Sequence, residues 1–303
     1  MNLLTELYPV IVVRRFCSVF GKTRQAWYNL NNHTAGQDMR NSIVVKMVNE
    51  IRAQQPRIGT RKLYHLLAPQ LQLHRIKIGR DQLFDLLERY GLLIRIRKRK
   101  AITTNSNHPF YKYENLIQQL SLHTKNQLWV SDITYISVKE NFAYLSLITD
   151  AFSRKIVGYC LWNNLSAQGP IAALNMALEQ QRPRRDELIH HSDRGVQYCC
   201  ADYVQRLSAY QIRISMSAKG DPYQNAIAER INGILKTEFN LQQTFNNLEQ
   251  AVESVTVAVE KYNSLRPHSS LNYLTPNQAH QLTGIIKKNW KNYNKQPCTP
   301  NQD

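Results

Sequence analysis

Cysteine is sparse and scattered in this 303-residue chain: Cys17, Cys160, Cys199, Cys200 and Cys298 form an odd set with no C-x-x-C step. That argues against a zinc ribbon and against a disulfide framework. No stretch reaches the ~20 apolar residues that a membrane span needs. The opening MNLLTELYPVIVVRRF puts its charge on the wrong side of a short apolar run for a secretory leader. A soluble protein of the cytoplasm is expected. There is no G-x-x-x-x-G-K-[ST] loop, no sustained heptad, no internal repeat and no low-complexity tract. Acidic residues are also in short supply, 22 against 39 basic ones, for a net charge of +17. Such an excess fits a polyanionic partner, whose phosphates lysine and arginine bind with release of counterions. A merely soluble cationic protein would share the composition.

Hydrophobic residues make up 43% of the chain, enough at this length for one small and one larger domain. Residues 1–40 read as a helix-turn-helix. In VRRFCSVFGKTRQAWYNLNN, Cys17 precedes Gly21 by four positions, and Trp27 and Leu30 recur at helical spacing. The glycine makes the turn and Thr23 caps the second helix, with Arg24 and Gln25 placed to meet a major groove. Residues 41–100 read as a second helical DNA-binding region. Its leucines 63, 66, 67, 83, 86 and 87 face inward, and Arg57, Arg61, Lys62, Lys77 and Arg80 stud the outside. RIRKRK, with Arg97, Lys98 and Arg99, is either a solvated run or a track for a phosphate backbone. Residues 101–118 read as a linker.

From 119 to 282 the pattern becomes α/β, with a tail at 283–303. LWVSDITYISV, FAYLSLITDAF and KIVGYCLW are strand-like runs in quick succession. A helix, the strand ELIHHSD, another helix, the strand IRISMS and two more helices follow, which predicts a mixed sheet with helices on its faces. Asp132 alternates onto the same face as Val130 and Ile136, where a carboxylate is costly unless bonded or metal-bound. Asp193 ends a strand, where open α/β sheets place ligands. In GDPYQNAIAERINGILKTE, Asn225, Glu229, Asn232 and Lys236 fall on one stripe of a helix, opposite Ile227, Ile231, Ile234 and Leu235. A solvated stripe is the plain reading. Together, however, the three acids suggest a site for divalent cations of the kind that catalyse phosphoryl displacement. His190 and His191 point to opposite faces and suit a structural role better than a metal.

WVSDITYI, HSDRGVQY and the helix just quoted resemble the three blocks of the DDE transposase and retroviral integrase superfamily. Between Asp193 and Glu229 lie 35 residues, and 60 lie between Asp132 and Asp193. With YNSLRPHSSLNYLTP near the end, the chain is similar to the second-reading-frame product of the insertion-sequence family numbered three. Ser131 and Gln224 stand where the family often has Thr and an acid, and neither removes a ligand. The resemblance implies an RNase H-like core, with Asp132, Asp193 and Glu229 as catalytic and metal-binding residues. It implies two Mg²⁺ or Mn²⁺ ions per site, and Lys236, Asn225 and Asn232 on DNA. It also implies double-stranded DNA partners, both terminal repeats and target, an oligomer on DNA, a bacterial cytoplasmic location on the nucleoid, and in many members a first-frame partner protein. The implied activity is metal-dependent cleavage at element ends and strand transfer. Its rivals are a non-catalytic DNA-binding regulator and a nuclease that only hydrolyses.

Overall fold

The structure is a computed structural model that describes residues 12–94, 109–118, 120–139, 141–183, 187–217 and 225–287. By contact, the described residues fall into two compact units. One is drawn from Met1–Ala53 and Leu66–Leu93, the other from Gln54–His65 and Ile94–Asp303.

The first unit is helical. α1 (Val13–Val19) gives way to a turn in which Gly21 takes a φ of 62°, a conformation that a Cβ disfavours. Thr23 Oγ1 then accepts the Ala26 N–H at 3.1 Å, the capping role expected of it, and α2 (Arg24–Gln54) begins. The helix is 31 residues long. It runs unbroken across position 40, where the sequence suggests a boundary between two helical regions. The continuation has a physical reason, since Val44, Met47 and Val48 recur at helical spacing and are buried. α3 (Thr60–Leu73), whose residues up to His65 belong to the second unit, and α4 (Arg80–Arg89) follow. Leu63, Leu67, Leu83, Leu86 and Leu87 are buried as expected, each worth roughly 1.5–3 kcal/mol. Leu66 is only partly so.

The second unit is built on a five-stranded sheet in the order β3-β2-β1-β4-β5. The strands are β1 (Leu128–Val138), β2 (Asn141–Asp150), β3 (Ile156–Trp162), β4 (Ile189–Ser192) and β5 (Arg213–Met216). The first three form an antiparallel meander, with Asp132 opposite Leu147, while β4 and β5 add on in parallel. The remaining helices are α5 (Gln168–Gln181), α6 (Val196–Cys199), α7 (Ala201–Ala209), α8 (Ala226–Glu238), α9 (Leu248–Leu265) and α10 (Pro276–Ala279). Each run that the sequence marks as strand or helix here is found as such. This mixed sheet with helices on both faces is the expected RNase H-like architecture.

Alternation along β1 assigns the two faces. Ile136 packs with Ile231, Ile234 and Leu235 of α8 and with Val255, Val259 and Tyr262 of α9. Trp129 packs on the other side, among Leu174 and Leu178 of α5 and Tyr203 and Leu207 of α7. α5 lies so close that a Cβ on Gly158 of β3 would stand 2.1 Å from the Ala173 carbonyl oxygen, so only glycine fits there. Asp132 shares its face with Ile136 by the period of two, which turns it towards α8. Among the described residues no helix is long and apolar enough to cross a membrane.

Candidate active site

Parallel pairing of β1 with β4 sets the first two acids side by side. Val130 stands beside His191, and two residues further along each chain, on the same face, come Asp132 and Asp193. Asp193 opens the turn after β4, and its Oδ1 accepts the Gly195 N–H at 3.0 Å. A Cβ on Gly195 would sit 3.0 Å from that same oxygen, so the glycine keeps the turn tight. Asp132 is half-buried, and its Oδ2 accepts a hydrogen bond from Asn232 Nδ2 at 2.8 Å.

Burial first, and the charge of Asp193 after it, raise the Asp132 carboxyl, which stands at about 7 with every neighbour counted. The Asn232 amide opposes them, and the charge of Glu229 adds to the rise. The charges of Asp193 and Glu229 therefore both act at Asp132, and Lys236 stands in the field of the same carboxylate. Glu229 itself lies exposed in the first turn of α8. Among the described residues no three His, Cys, Asp or Glu side chains stand together closely enough to hold a metal ion. The carboxylates meet through their charges and do not form a closed cage, so the expected convergence to metal-bridging distance is absent in this arrangement. The donor set nevertheless fits a hard divalent cation, because oxygen ligands that repel one another are what such an ion neutralises.

The polar stripe of α8 does not face water. Asn225, at the N-cap position and 5% exposed, donates Nδ2 to the Ser131 carbonyl at 3.1 Å. Asn232 is equally buried and holds Asp132. These two amides stitch α8 to β1. That corrects the expectation that they donate to DNA, since neither has surface to offer a duplex. Lys236 is half-buried, with Nζ 3.8 Å from the centroid of the Tyr135 ring. Burial pulls its pKa down to about 8, and the nearby Asp132 charge limits the fall. Tyr135 in turn meets the edge of Phe142 at 5.2 Å. Lys236 thus stands within the field of Asp132 on an aromatic floor, a cation–π arrangement.

The other basic candidates part company. Arg24, Gln25 and Arg61 are exposed. Arg80 is exposed too, with Nε 2.8 Å from its neighbour Asp81. Lys62 is not a surface stud: its Nζ lies 3.3 Å from Glu238 Oε1, and its side chain is mostly covered. A lysine with an internal carboxylate partner has its charge already engaged, which corrects its assignment to DNA. Arg97, Lys98 and Arg99 lie outside the described residues.

Two buried networks brace the site. His190 Nε2 lies 2.7 Å from Ser131 Oγ and 2.9 Å from Tyr203 Oη, and burial holds its pKa down to about 3. His191 Nδ1 instead meets Ser215 Oγ at 2.9 Å. The histidine pair is therefore structural, as its position in a strand suggests. Sequence reasoning missed the second network, in which Asp150, Ser153 and His280 tie β2 to the residue after α10. It missed the Glu238–Arg266 pair as well. No local period links residues so far apart.

A carboxylate within β1, a second just past β4, a third acid on the facing helix α8 and a lysine two turns on are the residues expected of an integrase-type core. Comparison with known proteins agrees. One model of the integrase core domain matches residues 123–222, and a second matches 210–276. The insertion element IS600 uncharacterized 31 kDa protein of Shigella sonnei is 36% identical over 266 residues, covering 86% of this chain and 95% of the relative. The transposase for insertion sequence element IS629 of Shigella sonnei is 31% identical over 73% of each chain. Transposase InsF for insertion sequence IS3A of Escherichia coli K12 is 36% identical over 63% of this chain and 67% of its own. The HTLV-2 integrase catalytic core domain in complex with magnesium covers 53% of this chain and 99% of its own, at 19% identity and a TM-score of 0.43. The chain belongs to the IS3 family of DDE-type insertion-sequence transposases.

Proposed function

We propose that this transposase binds the ends of its insertion sequence and cuts and joins DNA there by direct phosphoryl transfer at one site. The observation that carries the reading is the setting of Asp132, half-buried on β1, held by Asn232 of the helix that bears Glu229 and Lys236, and raised by burial and the charges of Asp193 and Glu229. Asp132, Asp193 and Glu229 would hold two Mg²⁺ or Mn²⁺ ions. Bound there, such ions neutralise charge at phosphorus and make a water or a hydroxyl a better nucleophile at neutral pH.

The protein's own groups do the rest. Asn232 fixes the rotamer of Asp132, and Asn225 fixes the start of α8 against β1, so the ligands are set by packing before DNA arrives. Lys236, held on Tyr135, presents its ammonium to a phosphate of the bound strand. In cleavage a water oxygen bonds to phosphorus and the bond to the departing 3′-oxygen breaks, which leaves a 3′-hydroxyl. In joining, that hydroxyl attacks a target phosphodiester and expels another 3′-oxygen, so no bond energy from a nucleotide cofactor is required. Arg24, Gln25 and the exposed Arg61 serve end recognition. The partners are terminal-repeat and target DNA and further copies of the chain, with a first-frame protein as a possible companion, on the bacterial nucleoid.

Asp132→Ala, Asp193→Ala and Glu229→Ala should each reduce cleavage and joining of end DNA to background while leaving end binding nearly intact. Full joining by any one of them would overturn the assignment of that residue. Cleaved but never joined products from the wild type would favour a nuclease.

A further inference from the structure

The tail segment 262–276 takes no part in the chemistry proposed above, yet it carries one of the most deeply buried charges of the second unit. Arg266 is 1% exposed and forks onto Glu238, Nε to Oε2 and Nη2 to Oε1, both at 2.8 Å. Its Nη1 donates to His268 Nε2 at 2.9 Å, a ring kept uncharged by burial and by the guanidinium itself. Glu238 is the last residue of α8, the helix that bears Glu229 and Lys236. The same carboxylate receives Lys62, and its backbone oxygen accepts the Arg57 N–H at 3.1 Å. Two outer contacts complete the arrangement. Gln55 Nε2 donates to the Leu265 oxygen at 3.3 Å, and the His65 ring stacks on Tyr273 with centroids 4.5 Å apart. The tail, the end of α8 and the basic segment 54–65 are therefore joined at one carboxylate.

We propose that Glu238 and Arg266 are positioning residues for strand transfer, which clamp α8 against rotation and tie it to segment 54–65. The proposal rests on the catalytic reading of Glu229 given above. A bidentate fork on a buried arginine leaves the helix end no freedom to turn. Side chains lie about 5–6 Å from a helix axis, so a turn of ~10° would move the Glu229 carboxyl by about 1 Å. A misplacement of that size costs about a hundredfold in rate. Lys62 acts within this clamp, and through it the basic segment and the active-site helix move as one body.

The test uses the full chain with Arg266→Lys, which keeps the charge and loses the fork. Hydrogen exchange without DNA or metal should rise together in 230–238 and 57–65. Joining at saturating end DNA should fall about a hundredfold, while the DNA concentration for half-maximal rate stays within about threefold. Lys62→Met removes one charge from the cluster and leaves the fork, so it should show the same paired pattern, smaller on both readouts. It decides the matter if Arg266→Lys does not fold. Faster exchange in 57–65 alone with an unchanged saturating rate would overturn the proposal. So would a Lys62→Met effect confined to DNA affinity, which would return that lysine to the duplex. Failure of the catalytic reading is separately visible, because Glu229→Gln would then still join DNA whatever the exchange data show.

Discussion

Asp132 on β1 and Glu238 at the end of α8 are both withdrawn from water, and they respond to it in opposite ways. Burial raises Asp132, and its charged neighbours Asp193 and Glu229 raise it further, against hydrogen bonds from the Asn232 amide and the Ile133 backbone. Burial would raise Glu238 too, but the Arg266 fork and the Lys62 ammonium outweigh it and hold the group below its ordinary value. One carboxylate is gripped by a guanidinium and an ammonium, and the other is held by an amide among like charges. A carboxylate kept among like charges marks a place suited to a partner that brings the opposite charge. Balanced charge marks a joint. Asp132 meets the middle of α8 through Asn232 and Glu238 ends the same helix, so α8 both faces the site and is anchored beyond it.

The comparison is most sharply broken by removing the acids of the candidate site. Asp193→Asn should bring strand joining to background in a gel assay and leave the fold intact. At the Glu238 end of α8 the order reverses. Arg266→Ala strands a buried carboxylate and should lower unfolding stability by about 3–5 kcal/mol in denaturant titration. A loss under ~1 kcal/mol would mean that Glu238 reaches water.

A smaller effect of opposite sign is expected at Asp132. Asp132→Asn removes a charge that its neighbours repel, so the metal-free protein should gain about 1–2 kcal/mol of stability in chelator while losing activity. Acid should separate the two groups as well. Glu238 has a depressed folded pKa, so its contribution is complete above the unfolded value of about 4.3 and fades as pH falls through the folded one. Glu238→Gln should flatten that acid limb of the stability profile, and an unchanged limb would assign it to other carboxylates.

The smallest expected change belongs to Lys236. Lys236→Ala should reduce the slope of log affinity for end DNA against log salt by about 0.9, one phosphate contact. Mn²⁺ binding should hardly change. Wild-type DNA affinity and joining would return this face of the helix to solvent.

Much of this arrangement could be read from the residues. The strands and helices of the core followed from period and punctuation, and the acids stood out because a carboxylate on the inward face of β1 needs a reason. The α8 stripe was visible at 100° per residue, but its destination was not. Asn225 and Asn232 have donors that suit DNA or a neighbouring strand equally well, and only the packing of α8 on β1 chooses the strand. Lys62 sat among basic residues that look alike in sequence, and its partner lies 176 positions away. The unbroken α2 was hidden by its polar middle, NNHTAGQD, where local propensity gave no sign that Val44 and Met47 would carry the helix onward.

Metal binding measured apart from catalysis tests the central claim most directly. Mn²⁺ added to the full chain without DNA should raise its unfolding temperature in a saturable way, since an ion that binds only the folded state stabilises it by mass action. The account predicts that Asp132→Asn and Asp193→Asn abolish this rise, while Lys62→Met, at the Glu238 end of α8, retains it. An undiminished Mn²⁺ response in Asp132→Asn would contradict the claim that these acids form the site.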